Sequence, residues 1–258
     1  MTDARAFGID VSHYDGLLNW KAVLEHVPEV TFIGYRATIS WGYRDPFFLA
    51  NWKDGGIHGI PRLAYHVVYP GEDALRQVDN LFAALDKVLL PTDKIVLDVE
   101  LDHGISKTNI TNSILKHADL CKKRTGEYPI LYSRALWLNN FTYPVELTHL
   151  KLWLAQYLNK PALAKYANEM IPSSDHPLAL PNGFKNYLIH QSGDKLPQFC
   201  ATTTKSYQDY DRWNGTKADV KAFFGISSSP QPVPEIDHLA KIEQSAKDIL
   251  TNVAEMRG

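Results

Sequence analysis

The chain of 258 residues is 45% apolar and carries 27 lysines and arginines against 29 aspartates and glutamates, a formal charge of −2. That balance gives neither the broad positive field that nucleic acid requires nor a strongly acidic tail. Cys121 and Cys200 lack CxxC spacing and build no disulfide framework, so they are read as buried free thiols, and no apolar stretch is long enough for a membrane span or a signal peptide.

Short apolar runs alternate with helix-like stretches along the chain. Strands are predicted at residues 7–11, 32–37, 62–68, 94–100, 129–133, 151–156, 186–191 and 206–210, and helices at 19–26, 46–55, 73–85 and 109–124. In the third helix, Leu75, Val78, Leu81, Phe82 and Leu85 share a stripe suited to covering a sheet, with Arg76, Asp79 and Asn80 facing away. Gly55-Gly56 and Gly126 read as helix stops. Beyond the fifth strand, prolines 144, 161, 172, 177 and 181 and Gly183 break the periodicity of 133–150 and 160–185, which predicts loops and short turns in place of full crossover helices. The class is therefore α/β, an eight-stranded barrel with less helical cover over its last three strands.

This main domain is expected over residues 1–225. Residues 226–235, Ile-Ser-Ser-Ser-Pro-Gln-Pro-Val-Pro-Glu, read as an extended Ser/Pro linker. In the tail, 236–258, Leu239, Ile242, Ala246, Ile249, Val253 and Met256 follow at alternating spacings of three and four, the seam of a short coiled coil. Self-association through 239–256, a helix folded back on the barrel and the stub of an appendage are its three readings.

In a parallel barrel the strand ends converge on one mouth. They would bring there Asp10 and Ser12, Arg36, Tyr65 and His66, Asp98 and Glu100, Tyr132, Trp153 and Gln156, Gln191, and Asp209 or Asp211. Carboxylates ringed by aromatic side chains suit a sugar polymer, whose C–H faces stack on rings while its hydroxyls bond to acids and amides. The run Ile95-Val96-Leu97-Asp98-Val99-Glu100 is the sharpest signal, because alternation puts both acids on one face of a buried strand. Glycosidic cleavage needs a proton donor and a second group at the anomeric carbon. Glu100, nearer the mouth, is expected to be the acid while Asp98 stays ionised. Asp10, Asp98, Glu100 and His66 could alternatively hold a hard cation. His66, in an apolar strand, reads more simply as a hydrogen-bonded structural histidine, so neither metal nor cofactor is expected. No GxSxG elbow, P-loop or HExxH occurs.

Taken in order, Gly8-Ile9-Asp10-Val11-Ser12 with Gly16 and Trp20, Tyr35-Arg36-Ala37, Asp45-Pro46-Phe47, Tyr65-His66, Leu97-Asp98-Val99-Glu100, and Asp209 ahead of Asn214-Gly215-Thr216 resemble the glycoside hydrolase family 25 lysozymes. The resemblance runs from about Phe7 to Gly225. It implies a flattened TIM-like barrel of five β/α units followed by three further strands. It also implies an N-acetylmuramidase that cuts the β-1,4 bond between N-acetylmuramic acid and N-acetylglucosamine in bacterial peptidoglycan. Carried over by position, Glu100 is the acid, Asp98 its partner, and Asp10 and Asp209 complete the acidic floor; Tyr65, Tyr132 and Trp153 line the cleft, with Arg36, His66 and Gln191 as further substrate contacts. Asp98 would act as nucleophile or, preferably, orient the substrate's own N-acetyl group.

The chain departs from the family pattern at three places. No acid precedes Gly42 in Thr38-Ile39-Ser40-Trp41-Gly42, Asp15 stands where glutamine is common, and His190 precedes Gln191 where an aromatic is usual. All three bear on sugar contacts and leave the four acids intact. With no signal peptide read, the expected setting is a phage-type endolysin, made in the cytoplasm of a host bacterium and reaching the wall after release, or carried on the virion. The competing reading is a peptidoglycan-binding or virion structural protein that kept the fold and lost turnover.

Overall fold

The computed structural model describes residues 5–157 and 178–226. In chain order they form β1 (Phe7–Val11), α1 (Trp20–Glu25), β2 (Val30–Ile39), β3 (Tyr43–Arg44), α2 (Phe48–Ile57), β4 (Arg62–Val67), α3 (Ala74–Ala84) and β5 (Lys94–Asp98). Then follow α4 (Lys107–Thr125), β6 (Ile130–Ser133), α5 (Ala135–Phe141), a 3-10 turn (Pro144–Leu147), β7 (Leu152–Ala155), β8 (Ile189–Pro197), β9 (Tyr207–Trp213) and α6 (Lys217–Phe223). The linker beyond Ile226, the heptad-like tail and most of the second loop segment lie outside the described residues.

The strands close into a barrel in the order β1-β2-β4-β5-β6-β7-β8-β9, with β1 hydrogen-bonded to both β2 and β9 and β3 a short antiparallel ribbon on β2. All pairings from β1 through β8 around the barrel are parallel. β9 is antiparallel to both neighbours. The eight predicted strands are all present, and the fold is the TIM-like α/β barrel expected. One detail differs: the mouth end of β9 is its N-terminal end, because the chain turns back over the mouth before entering it.

The parallel strands β1, β2 and β4–β7 are largely buried on both faces, for different reasons. Along β5, Ile95 and Leu97 point outward into the layer beneath the helices, joined by Val99, while Val96 points into the lumen. The lumen is filled by Phe32, Leu63, Ile130, Trp153, Ile189 and Trp213, and α6 plugs its lower end with Val220 and Phe224. Burying each large apolar side chain contributes about 1.5–3 kcal/mol, so the lumen is a second core and not a pore.

Three local expectations are corrected. Gly55 and Gly56 do not end α2, which continues to Ile57. A Cβ at Gly55 would lie 2.3 Å from the Tyr35 hydroxyl and one at Gly56 2.4 Å from Arg62 Nη1, so these glycines let the helix press against the sheet. Gly126, with φ 84°, is the left-handed cap of α4 as read. On α3, Leu75 is exposed and Asn80 is buried. Its amide donates to the carbonyls of Ser40 and Tyr43 and its oxygen accepts from Arg44 Nε, so that face of α3 meets the β2–β3 ribbon and not an apolar layer. Between β6 and β7 the expected loop contains α5, a seven-residue helix that buries Leu138 and stops before Pro144.

Candidate active site

Alternation continued past the strand ends builds the site. Asp10 on β1 faces inward across from Gly34, Tyr65 lies across from Val96, and Asp98 lies between Val67 and Tyr132. Glu100 falls two residues beyond Asp98, just outside β5, on the same side. The backbone stays extended there, because Val99 N–H donates to the Tyr132 carbonyl at 3.0 Å. Asp209 reaches the mouth from β9, register-paired with Asp10. A cavity of about 230 Å³ collects Asp10, Asp98, Glu100 and Asp209 with Tyr65, Tyr132, Trp153 and Gln191 on its walls.

Its polar groups form a directed chain. Arg134 Nη2 donates to the Tyr157 hydroxyl at 3.4 Å, the hydroxyls of Tyr157 and Tyr132 meet at 3.3 Å, and Tyr132 donates to Gln191 Oε1 at 2.7 Å. Gln191 Nε2 then donates to Asp10 Oδ2 at 2.6 Å. Beneath them, Trp153 Nε1 donates to Asp211 Oδ1 at 2.9 Å. The indole crosses the lumen over Gly34, where a Cβ would lie 2.6 Å from its ring.

So many buried acids cannot all be charged. Burial lifts Asp10 to about 6 despite the Gln191 bond, and burial together with Asp10 lifts Asp209 to about 8 against the pull of Lys205. Lys205 Nζ bridges Asp209 at 3.2 Å and the fully buried Asp15 at 3.0 Å. Glu100 is raised by burial and held back by Arg134, whose Nε lies 3.4 Å from its carboxylate. Asp98 is pushed well above the carboxylate range by burial, then by Glu100 and Asp10. Its Oδ1 has no donor among the described residues. Both members of the pair are therefore pushed toward the protonated form within the protein itself. Asp211, deeper still, is also held protonated, by burial and by Asp10.

Two predicted contacts lie elsewhere. Arg36 sits at the rim, donating from Nε to Asp45 Oδ2 at 3.1 Å, outside the cavity wall. His66 points to the opposite side of β4 from Tyr65. It is fully buried there, its Nδ1 2.7 Å from the Thr38 hydroxyl and its Nε2 3.3 Å from Gln77 Oε1, and burial drops it to about 3. It is the structural histidine and touches neither sugar nor the cation of the alternative reading. Conversely, Arg134, Tyr157 and Asp194 belong to the site and were not singled out, while Asp211, offered as the alternative to Asp209, lies beneath it on Trp153. Stepping two residues onward, from Tyr132 to Arg134 and from Ala155 to Tyr157, as Asp98 leads to Glu100, would have found two of them.

The model of the family described as glycosyl hydrolases family 25 matches residues 9–173. Lysozyme M1 of Streptomyces globisporus is 31% identical over 147 residues, covering 52% of this chain and 48% of that protein. The chain thus spans about half the length of the curated relatives it matches. Among solved structures, the bacterial lysozyme from Streptomyces coelicolor superposes with TM-score 0.70 at 22% identity over 87% of this chain and 99% of that one. The muramidase from Trichobolus zukalii gives 0.66 at 24% identity over 86% and 100%. At these identities the two superpositions establish the shared fold.

Proposed function

The chain belongs to glycosyl hydrolases family 25, and from that membership we propose that it is a lysozyme of the N-acetylmuramidase type, hydrolysing the β-1,4 bond of bacterial peptidoglycan with residues 1–225 as the catalytic unit. Glu100 is the general acid. Its raised pKa keeps a proton available, and its position outside the strand lets it reach the glycosidic oxygen. Asp98 orients the sugar's acetamido group. The observation that carries this reading is the buried Asp98 Oδ1, which has no donor among the described residues and lies beside Glu100. An acetamido N–H is the donor it lacks, and delivering it favours ionised Asp98.

The steps then balance. Glu100 gives its proton to the leaving oxygen as the anomeric C–O bond breaks, while the acetamido carbonyl oxygen bonds to the anomeric carbon and Asp98 accepts the N–H. Water then attacks that carbon, displacing the carbonyl oxygen and returning a proton to Glu100, with net retention. Asp10, held by Gln191, and Asp209, held by Lys205, flank the sugar. Tyr65, Tyr132 and Trp153 supply ring faces.

Mass analysis of a wall digest tests the reading. Fragments should carry N-acetylmuramic acid at the new reducing end, whereas N-acetylglucosamine at that end, or no new reducing ends, overturns it.

A further inference from the structure

Beside the carboxylate cavity the mouth carries an ordered aromatic cluster that the chemistry above leaves unused. Asp45, whose side chain is 1% exposed, is its hub. One of its oxygens accepts the backbone N–H of His13 at 2.7 Å and Arg36 Nε at 3.1 Å, and the other accepts the N–H of Phe47 at 3.1 Å. The loop after β1, the end of β2 and the start of α2 are thereby tied together. The fixed guanidinium of Arg36 also meets the His13 ring. It lies 5.5 Å from the centre of the Tyr14 ring and 6.0 Å from that of Tyr43, and the His13 and Tyr14 rings are 3.9 Å apart. Although their surroundings are locked, Tyr14 is 60% and Tyr43 37% exposed. Holding two large rings in water around a clamped cation gives up apolar burial, which a protein tolerates where a ligand covers the rings.

The cluster is continuous with the cleft. Arg36 is register-paired with Tyr65, which lines the cavity, and His13 and Tyr14 stand on the loop that leaves β1 just after Asp10. We propose that Tyr14 and Tyr43, locked around Arg36, form a stacking platform for a further pyranose ring of the glycan strand, outside the rings bound at the carboxylates. This deepens and rests on the muramidase reading. A pyranose presents a C–H face to each tyrosine and hydroxyl acceptors to Arg36. Two exposed rings held around one cation beside the cavity fit a chain of repeating rings better than a single small molecule.

The test uses the full chain carrying Glu100→Gln, so that ligand is not consumed, titrated calorimetrically with N-acetylglucosamine trimer and hexamer. The hexamer should bind more tightly than the trimer. Adding Tyr14→Ala and Tyr43→Ala should weaken hexamer binding by about tenfold, the value of two lost stacking contacts, and remove most of the hexamer's advantage. Tyr14→Phe with Tyr43→Phe keeps the faces and should preserve it. An unchanged hexamer-to-trimer ratio in the alanine variant overturns the platform. So does a phenylalanine variant as weak as the alanine one, which would assign the effect to hydroxyls, or a dimer in sedimentation that the alanine pair dissolves, which would assign the rings to a second copy. The two readings fail separately: a parent protein that releases no reducing ends from walls sinks the muramidase, while active parent protein with an unaltered length preference sinks only the platform.

Discussion

The two ends of one lumen obey the same alternation and reach opposite outcomes. At the lower end the inward positions of the strands are Phe32, Leu63, Ile130 and Trp213, sealed by Phe224 of α6. At the upper end the same rows continue into Asp10, Asp98, Glu100 and Asp209. The lower end recovers free energy by excluding water from apolar surface. The upper end gives some of it back, holding carboxylates that burial first, and the neighbouring acids second, push above their ordinary range. The contrast separates stability from catalysis along a single axis, and it can be attacked at either end.

The largest effect should come from the upper end. Glu100→Gln removes the proposed proton donor and should lower kcat by about 10²–10⁴-fold with the melting temperature nearly unmoved, measured by release of reducing ends alongside thermal unfolding. Phe224→Ala is the counterpart below: emptying a site that is 1% exposed should cost about 3–5 kcal/mol in denaturant unfolding while kcat per folded molecule is retained. If that substitution instead lowers kcat as steeply as Glu100→Gln, the two ends are not separable.

Asp98→Asn probes both ledgers at once. Its acid is raised above the unfolded value of 3.8, so the stability it contributes is complete below that pH and is lost as pH rises. The same direction holds for Asp10 and Asp209, whose losses fall between about 3.8 and about 6 and between about 3.8 and about 8. Asp98→Asn should therefore melt about 2–4 °C higher than the parent at pH 8, with little gain at pH 4, and be nearly inactive. A lower melting temperature at pH 8 would show that the acid is not a burden to the fold. The smallest effect is expected from Arg134→Met. Removing a cation 3.4 Å from Glu100 raises the acid's pKa, so the alkaline limb of the rate profile should move to higher pH. Movement to lower pH would exclude the ion pair as the restraint on Glu100.

Much of this was legible from residue order alone. Strands such as 94–98 announce themselves because both faces are buried, and the two-residue period then places Asp98 and Glu100 together. Features that depend on what an element meets in space were not legible. Gly55 reads as a stop until Tyr35 is seen against it, and Asn80 reads as solvent-facing until the β2–β3 ribbon appears beneath it. His66 was placed at the mouth by its adjacency to Tyr65, although one step along a strand changes the face. The surroundings of Asp98 were legible only in part: repulsion from Glu100 follows from the two-residue spacing, but burial, the larger cause of its raised pKa, does not.

The reversed course of β9 has a consequence for how such a barrel can be altered. Since the polypeptide comes down into the sheet from the mouth, residues 198–206 form the turn from β8 to β9 there, tied to the loop after β1 by Thr202, whose N–H donates to the Asp15 carbonyl at 2.9 Å and whose hydroxyl donates to the Leu17 carbonyl at 2.6 Å. Segments spliced in at the exposed Thr204 would add chain at the mouth end of the barrel, while Asp209 keeps its station opposite Asp10 and closure of the cylinder is left untouched.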